Sequence, residues 1–181
     1  KIFVLGGLPR SGTTVLGLIL DQNPNIFCHV TSPFCEIIWR NYSLWEDQNY
    51  REDFIDKDTY GMKIPFLKEL TNSYFKNLTS KKYILDKRRN WNNIANIEMY
   101  QEIFQTRPKI ICPVRPVEDI VASWKSIFKD KEWSDELLQG NVFYNSYYDL
   151  KNSFEFGYRD CFHLIEYENL VKNTQYEIQK I

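Results

Sequence analysis

Short apolar segments alternate with helical segments along most of the chain, and this alternation restricts the fold more than any other sequence feature. Strands are predicted at residues 1–7, 26–30, 83–86, 109–114 and 161–167. Helices are predicted at residues 14–22, 33–45, 66–78, 93–106, 117–128 and from 174 onward. Consecutive parallel strands need crossover connections, which place helices on both faces of a sheet. We therefore expect an α/β fold, a three-layer αβα sandwich around a central, mainly parallel sheet.

The length fits one domain. A chain of 181 residues can bury one hydrophobic core but is short for two. We expect a single domain over residues 1–181, truncated at both ends, because the chain begins on a predicted strand and ends inside a predicted helix. Residues 46–59 are polar and predict a surface loop or an insertion, and a polar, aromatic region extends from 129 to about 157.

Charge and cysteine usage exclude several classes of partner. The 23 Lys and Arg nearly balance the 24 Asp and Glu, so we expect no nucleic acid partner. No run approaches the ~20 apolar residues of a membrane span, so no membrane segment is expected in this chain. Without C-x-x-C spacing, disulfides and a zinc site are not indicated, and a reducing, cytoplasmic compartment is favoured. The cysteines concerned are Cys28, Cys35, Cys112 and Cys161.

The segment that follows the first predicted strand, residues 7–14 (GLPRSGTT), has the glycine spacing of the phosphate-binding loop G-x-x-x-x-G-K-[ST]. Such a loop binds an anion through backbone amides and the N-terminus of the next helix. Thr13 stands where nucleoside triphosphate enzymes place the lysine that contacts the β- and γ-phosphates. Arg10 supplies a cation within the loop instead. The alternative is a purely structural turn between a strand and a helix.

Three segments resemble sulfotransferases that use 3′-phosphoadenosine 5′-phosphosulfate (PAPS). Their 5′-phosphosulfate loop reads P-[KR]-[SG]-G-[ST]-[TS], which residues 9–14 match. Arg115 follows a predicted strand and Ser123 lies eight residues later, as in the family's 3′-phosphate motif. Without Ser123, an arginine at position 115 would be typical of a surface ion pair. The segment that begins at Tyr167 (YENL) is similar to the family's Y-E-[DN]-L. The pattern looks most like the bacterial and phage-type enzymes.

The resemblance implies a P-loop-type fold and a transferase that moves sulfonate from PAPS to a hydroxyl or amine by in-line displacement and releases 3′,5′-bisphosphoadenosine. No metal is expected to be required, because a sulfonate carries less charge than a phosphoryl group. The acceptor, a small molecule, glycan or peptide, is expected to contact residues 46–62 and 129–158, which the resemblance does not cover. The implied donor-binding residues are Arg10, Ser11, Gly12, Thr13, Thr14, Arg115, Ser123 and Tyr167.

Two cations and three alternative bases are the candidate catalytic residues. Arg10 and Lys87 are expected to stabilise the leaving phosphate, although residues 87–89 (KRR) also fit a solvated basic turn. Related protein-tyrosine enzymes place a glutamate base after the second strand, where this sequence has Thr31. The base is therefore left open, and Glu36 also fits a residue that only complements a helix dipole. In order of preference the candidates are Glu36, Asp86 and His29.

The sequence leaves two readings open for Trp91 and two alternative functions for the whole chain. Trp91 either stacks on a ligand or packs within the protein, and His163 is predicted to be a buried core histidine. A P-loop kinase of small molecules is an alternative function, but it needs the lysine that Thr13 replaces. A nucleotide-binding domain that has lost catalysis is the other alternative.

Overall fold

A parallel sheet forms the centre of the molecule. The computed structural model describes residues 1–47, 49, 57–129 and 132–181. Within these ranges five strands form one sheet in the order β2-β3-β1-β4-β5, and every neighbouring pair is parallel. The strands are β1 (Ile2–Leu5), β2 (Ile26–His29), β3 (Tyr83–Lys87), β4 (Ile110–Val114) and β5 (Phe162–Glu166).

The helices connect these strands in the alternating order that the sequence predicts. They are α1 (Thr13–Asp21), α2 (Phe34–Leu44), α3 (Lys57–Gly61), α4 (Lys63–Leu78), α5 (Ile94–Phe104), α6 (Val117–Ile127), α7 (Trp133–Glu136), α8 (Val142–Glu155), α9 (Tyr167–Lys172) and α10 (Thr174–Gln179). Short 3₁₀ turns occur at Arg89–Asn92 and Arg159–Cys161.

Successive side chains of β1 point to opposite faces of the sheet, and each face carries its own core. Val4 packs into a cluster that includes Phe34 from α2 and Ile97 from α5. Leu5 packs into a second cluster that includes Leu16 from α1 and Leu170 from α9. Helices therefore cover both faces, which confirms the α/β sandwich with a parallel central sheet.

The region from 129 to 157 contains more regular structure than the sequence predicts. Helices α7 and α8 lie within it. Helix α8 buries Phe143 and packs Leu150 and Phe154 against the core, but Ser146 and Ser153 interrupt this apolar face. The Ser153 hydroxyl donates to the Asn92 carbonyl, so a polar side chain occupies a core position. Tyr167 begins helix α9, where the sequence predicts the end of a strand.

The structure bears on three other expectations. Trp91 is 1% exposed, so it packs in the core and does not stack on a ligand. The prediction of a buried His163 is wrong, because this side chain is exposed on β5. In the predicted loop at 46–59, residues 48 and 50–56 lie outside the described residues, and α3 begins at position 57.

All four cysteines are free and buried. Burial raises the pKa of the Cys28 and Cys112 thiols to about 12. No helix in the described part of the chain is both long and apolar enough to span a membrane.

Candidate functional site

The loop between β1 and α1 lies at the carboxyl end of the central strand. Three of its residues have positive φ angles: Gly7 at 123°, Arg10 at 65° and Gly12 at 101°. Gly12 is the N-cap of α1 and offers no side chain to cap the helix. The first-turn amides of α1 have no intrahelical acceptor, so this end of the helix is suited to bind an anion.

Asn92 fixes the start of the loop from outside the motif. Its Oδ1 accepts a hydrogen bond of 3.0 Å from the Gly7 amide, and its Nδ2 donates 3.2 Å to the Gly7 carbonyl. Asn92 is fully buried, and a Cβ on Gly6 would lie 2.3 Å from its Oδ1. The sequence gives no signal for this role, because Asn92 belongs to no recognised motif.

Ser11 turns inward rather than toward the surface of the loop. Its hydroxyl donates to the Leu8 carbonyl at 2.8 Å, and its amide donates to the same oxygen at 3.3 Å. The side chain is fully buried. Ser11 therefore closes the loop, and the amides and side chains beyond it remain for a ligand.

The predicted donor-binding residues from three separate segments meet at this loop. The Arg10 Nε donates to the Ser123 hydroxyl on α6 at 3.2 Å. Arg115, directly after β4, donates to the Arg10 carbonyl at 3.3 Å. The Arg115 guanidinium lies 4.6 Å from the centre of the Tyr167 ring, and that ring packs on Gly12. The sequence motifs are therefore close together in space.

Arg115 retains an unused donor. Its buried Nε makes no hydrogen bond to any described residue, and the nearest carboxylate oxygen, Asp119 Oδ2, is 3.8 Å away. A buried guanidinium donor without a hydrogen bond is costly unless a ligand completes it. Because guanidinium groups bind phosphate oxygens well, this donor is suited to a phosphate group of a ligand.

Lys87 brings a second cation to the loop from β3. Its Nζ donates to the Thr14 hydroxyl at 2.6 Å. Burial lowers the pKa of Lys87, and the nearby Arg89 and Arg10 lower it further. The cation that is missing at position 13 is thus supplied to the same end of α1 by a neighbouring strand.

A cleft of about 410 Å³ adjoins the loop. One group of lining residues comes from the loop and the end of β3, and a second group comes from α6, the segment after it, α7 and α8. A third, small group is Val30 and Thr31, directly after β2. Charged members of the first group are Arg10, Lys87, Arg88 and Arg89. The second group comprises Trp124, Phe128, Glu136 and Val142. The cleft is therefore strongly cationic, with Glu136 as its one acidic side chain among the described residues.

The three base candidates from the sequence lie elsewhere, since none of them is among the described residues that line the cleft. Glu36, in the first turn of α2, forms an ion pair of 2.8 Å with Arg40. Asp86 is fully buried and accepts a hydrogen bond of 2.7 Å from the Trp91 indole. Burial raises the pKa of Asp86. His29 is paired with Asp86 in the sheet register, and its buried Nδ1 makes no hydrogen bond to a described residue.

No group of three or more His, Cys, Asp or Glu side chains capable of holding a metal ion occurs within the described ranges. The donor groups gathered at the loop are amides, hydroxyls and cations, a set that is suited to anions rather than to cations.

Comparison with known proteins agrees with this geometry. A family model described as the sulfotransferase family matches residues 2–181. No protein of curated function matches the sequence significantly.

Among solved structures, the sulfotransferase domain from the Synechococcus PCC 7002 olefin synthase has a TM-score of 0.61 and 17% identity, over 99% of this chain and 70% of that one. The sulfotransferase domain from the curacin biosynthetic pathway has a TM-score of 0.57 and 17% identity, over 99% of this chain and 71% of that one. Sulfotransferase STF9 from Mycobacterium avium has a TM-score of 0.50 and 12% identity, over 99% of this chain and 62% of that one. At these identities the structural likeness shows a shared fold.

Proposed function

Because the chain belongs to the sulfotransferase family, we propose that it transfers a sulfonate group from PAPS to a hydroxyl or amine acceptor and releases 3′,5′-bisphosphoadenosine. The observation that carries this proposal is the meeting of Arg10, Gly12, Arg115, Ser123 and Tyr167 at one loop. These residues come from separate segments of the chain, so their proximity is a property of the fold and not of one motif.

The 5′ end of the donor is assigned to the loop. The first-turn amides of α1 and the Arg10 guanidinium hold the 5′-phosphate, where negative charge grows as the bond to sulfur breaks. Lys87, which reaches Thr14, adds a positive charge beside it. This arrangement differs from a kinase loop, because Thr13 replaces the lysine that binds a nucleoside triphosphate.

The 3′ end of the donor is assigned to Arg115 and Ser123. The unused Arg115 Nε and the Ser123 hydroxyl are the donors for the 3′-phosphate. The Tyr167 ring, which contacts Gly12 and Arg115, provides an aromatic surface for the adenosine. The requirement for a 3′-phosphate distinguishes PAPS from ATP, so these residues set donor selectivity.

Catalysis in this proposal comes from alignment and charge stabilisation, and it requires no metal ion. The cleft beside Lys87 is assigned to the acceptor, a small molecule, a glycan or part of a peptide. Of the two segments expected to contact the acceptor, the described part of 129–158 contributes Glu136 and Val142 to the lining, and no described residue of 46–62 does. Four buried free thiols support a reducing, cytoplasmic location for the protein.

The test of the reaction is transfer of labelled sulfonate from PAPS into a panel of phenols, sugars, amines and tyrosine peptides. We expect label to appear in at least one acceptor, together with 3′,5′-bisphosphoadenosine. Binding of the bisphosphate with no transfer to any acceptor or to water would instead indicate a nucleotide-binding domain without catalysis.

The test of the 3′-phosphate assignment is Arg115→Ala, measured by calorimetric titration with 3′,5′-bisphosphoadenosine. Loss of charge-assisted hydrogen bonds worth about 1.5–3 kcal/mol should weaken binding about 10- to 100-fold. Arg107→Ala is the matched control, because Arg107 is an exposed arginine whose carboxylate partner is Asp160. Equal affinity of the two variants would contradict the assignment.

A further inference from the structure

Glu136 is the acidic side chain that the fold brings to the cleft, and neither the motifs nor the comparisons assign it a role. It is the last residue of α7, a four-residue helix in a region where the sequence predicts no regular structure. It lines the same cleft as Arg10, Thr14 and Lys87. A molecule that fills the cleft next to the loop therefore also meets this carboxylate.

Packing holds α7 in this place. The Trp133 ring lies 5.5 Å from Trp124 on α6 and 4.8 Å from Phe143 on α8, so an aromatic row joins the three helices. The Glu136 Oε2 accepts a hydrogen bond of 3.4 Å from the Phe143 amide. One carboxylate oxygen is thus anchored to the first turn of α8, while the side chain as a whole is half-buried at the cleft.

The charges around Glu136 bear on the role it plays. Burial lowers the pKa of Arg89 and the neighbouring Arg88 lowers it further, whereas Glu136 raises it. Glu136 therefore lies close enough to Arg89 to interact, and one role open to it is that of a structural counter-ion. The other role is chemical, because a carboxylate at an acceptor site is able to take a proton from a nucleophile.

We propose that Glu136 is the general base of the transfer, an inference that rests on the proposed function. The Glu136 carboxylate takes the proton of the acceptor hydroxyl while that oxygen forms its bond to sulfur. The bond between sulfur and the 5′-phosphate oxygen breaks, and its electron pair stays on the phosphate, beside Arg10 and Lys87. The proton leaves Glu136 for solvent when the products depart. Thr31, after β2, lines the same cleft and offers a hydroxyl but no carboxylate.

The experiment uses water as the acceptor, so the natural substrate does not have to be identified first. Slow hydrolysis of PAPS is followed in the wild type, in Glu136→Gln and in Asp135→Asn, and affinity for 3′,5′-bisphosphoadenosine is measured in all three. Asp135 is the control because it is the neighbouring, exposed acid on α7 and does not line the cleft. We expect Glu136→Gln to hydrolyse PAPS about 100-fold more slowly with bisphosphate affinity unchanged within twofold, and Asp135→Asn to match the wild type.

Two readouts separate a base from a counter-ion. The wild-type rate should fall as the pH is lowered, and Glu136→Gln should lose this dependence. Added formate should raise the rate of Glu136→Ala, because a small carboxylate can enter the space left by the side chain.

Three results would overturn the role of Glu136. They are hydrolysis by Glu136→Gln at the wild-type rate, a parallel loss of bisphosphate affinity, and a wild type that binds the bisphosphate but hydrolyses PAPS no faster than buffer does. A wild type that does not bind the bisphosphate would instead reject the proposed function itself.

Discussion

At the scale of single residues, the conformation of the anion-binding loop depends on groups that its motif does not include. Asn92 binds both the amide and the carbonyl of Gly7, and the Tyr167 ring packs on Gly12. Arg10, at a φ of 65°, is the strained position of this loop, because glycine at positions 7 and 12 adopts positive φ freely. The contacts of Asn92 and Tyr167 hold the loop in one conformation before any ligand arrives. Preorganised amides bind an anion without a further ordering cost.

Replacement of Asn92 tests this view of the loop. Asn92→Ala leaves the Gly7 amide and carbonyl without their buried partner, so we expect a loss of about 2–4 kcal/mol in the free energy of unfolding and weaker bisphosphate binding. Urea denaturation measures the first effect and calorimetry the second. Asn77→Ala is the control, since the Asn77 amide donates to a carbonyl on the exposed side of α4. A cost no larger than that of the control would show that Asn92 does not support the loop.

Alanine substitutions at Gly12 and Gly140 distinguish the effect of steric contact from the effect of backbone strain. Gly12→Ala and Gly140→Ala both place alanine at a positive φ, 101° and 96°, which costs about 1–3 kcal/mol. Only the first also brings a Cβ to 2.4 Å from the Tyr167 ring, whereas nothing lies within 4 Å of the second. We expect Gly12→Ala to be the less stable protein and to lose bisphosphate affinity, with Gly140→Ala binding normally. Normal binding by both would contradict the packing of Tyr167 on the loop.

At the scale of secondary-structure elements, a buried cation joins α4 to α2 and α5. Lys63 is 3% exposed, and its Nζ lies 2.7 Å from Glu46, 3.1 Å from Glu102 and 3.9 Å from the centre of the Tyr42 ring. Burial lowers the pKa of Lys63, but the hydrogen bonds to Glu46 and Glu102 outweigh this effect and leave the pKa above its ordinary value. The folded state therefore holds this proton more tightly than the unfolded chain does.

The sign of this shift predicts how stability depends on pH. The contribution of Lys63 is fully present below the unfolded pKa of 10.5 and disappears as the pH rises through the higher folded pKa. At pH 7 we expect Lys63→Met to have a free energy of unfolding about 2 kcal/mol lower than that of the wild type. This difference between the two proteins should shrink above pH 10.5. Urea denaturation across this range is the measurement, with the exposed Lys68→Met as control. A difference that grew with pH would contradict the assignment.

Sequence patterns predict the strands of this fold but not helices α7 and α8. Strands β1 to β5 follow apolar runs closely, because a sheet covered by helices on both faces buries most of its side chains. The exposed His163 lies on β5, which is an edge strand. Helix α7 escapes prediction because it is only four residues long and is held by contacts of the Trp133 ring. Helix α8 escapes prediction because buried serines interrupt the apolar stripe that packs on the core. Glu136 escapes prediction with them, since its role depends on where α7 packs.

At the scale of the whole molecule, the strand order explains why distant motifs form one site. The central strand β1 has β3 on one side and β4 on the other. Their carboxyl ends deliver Lys87 and Arg115 to opposite sides of the loop that follows β1. The sequence could predict these residues, because motif spacing and strand ends are local properties. It could not predict the contact between Arg10 and Ser123 or the cleft, because both depend on how the layers pack.

We infer that this loop binds a 3′,5′-bisphosphorylated adenosine and not a nucleoside triphosphate. Titration of the wild-type protein with 3′,5′-bisphosphoadenosine and, in parallel, with ATP and Mg²⁺ tests it most directly, with the melting temperature as the readout. We predict a rise that increases with bisphosphate concentration, as expected for a ligand that binds only the folded state, and little change with Mg²⁺ and ATP. Stabilisation by Mg²⁺ and ATP alone would contradict the account and favour a kinase.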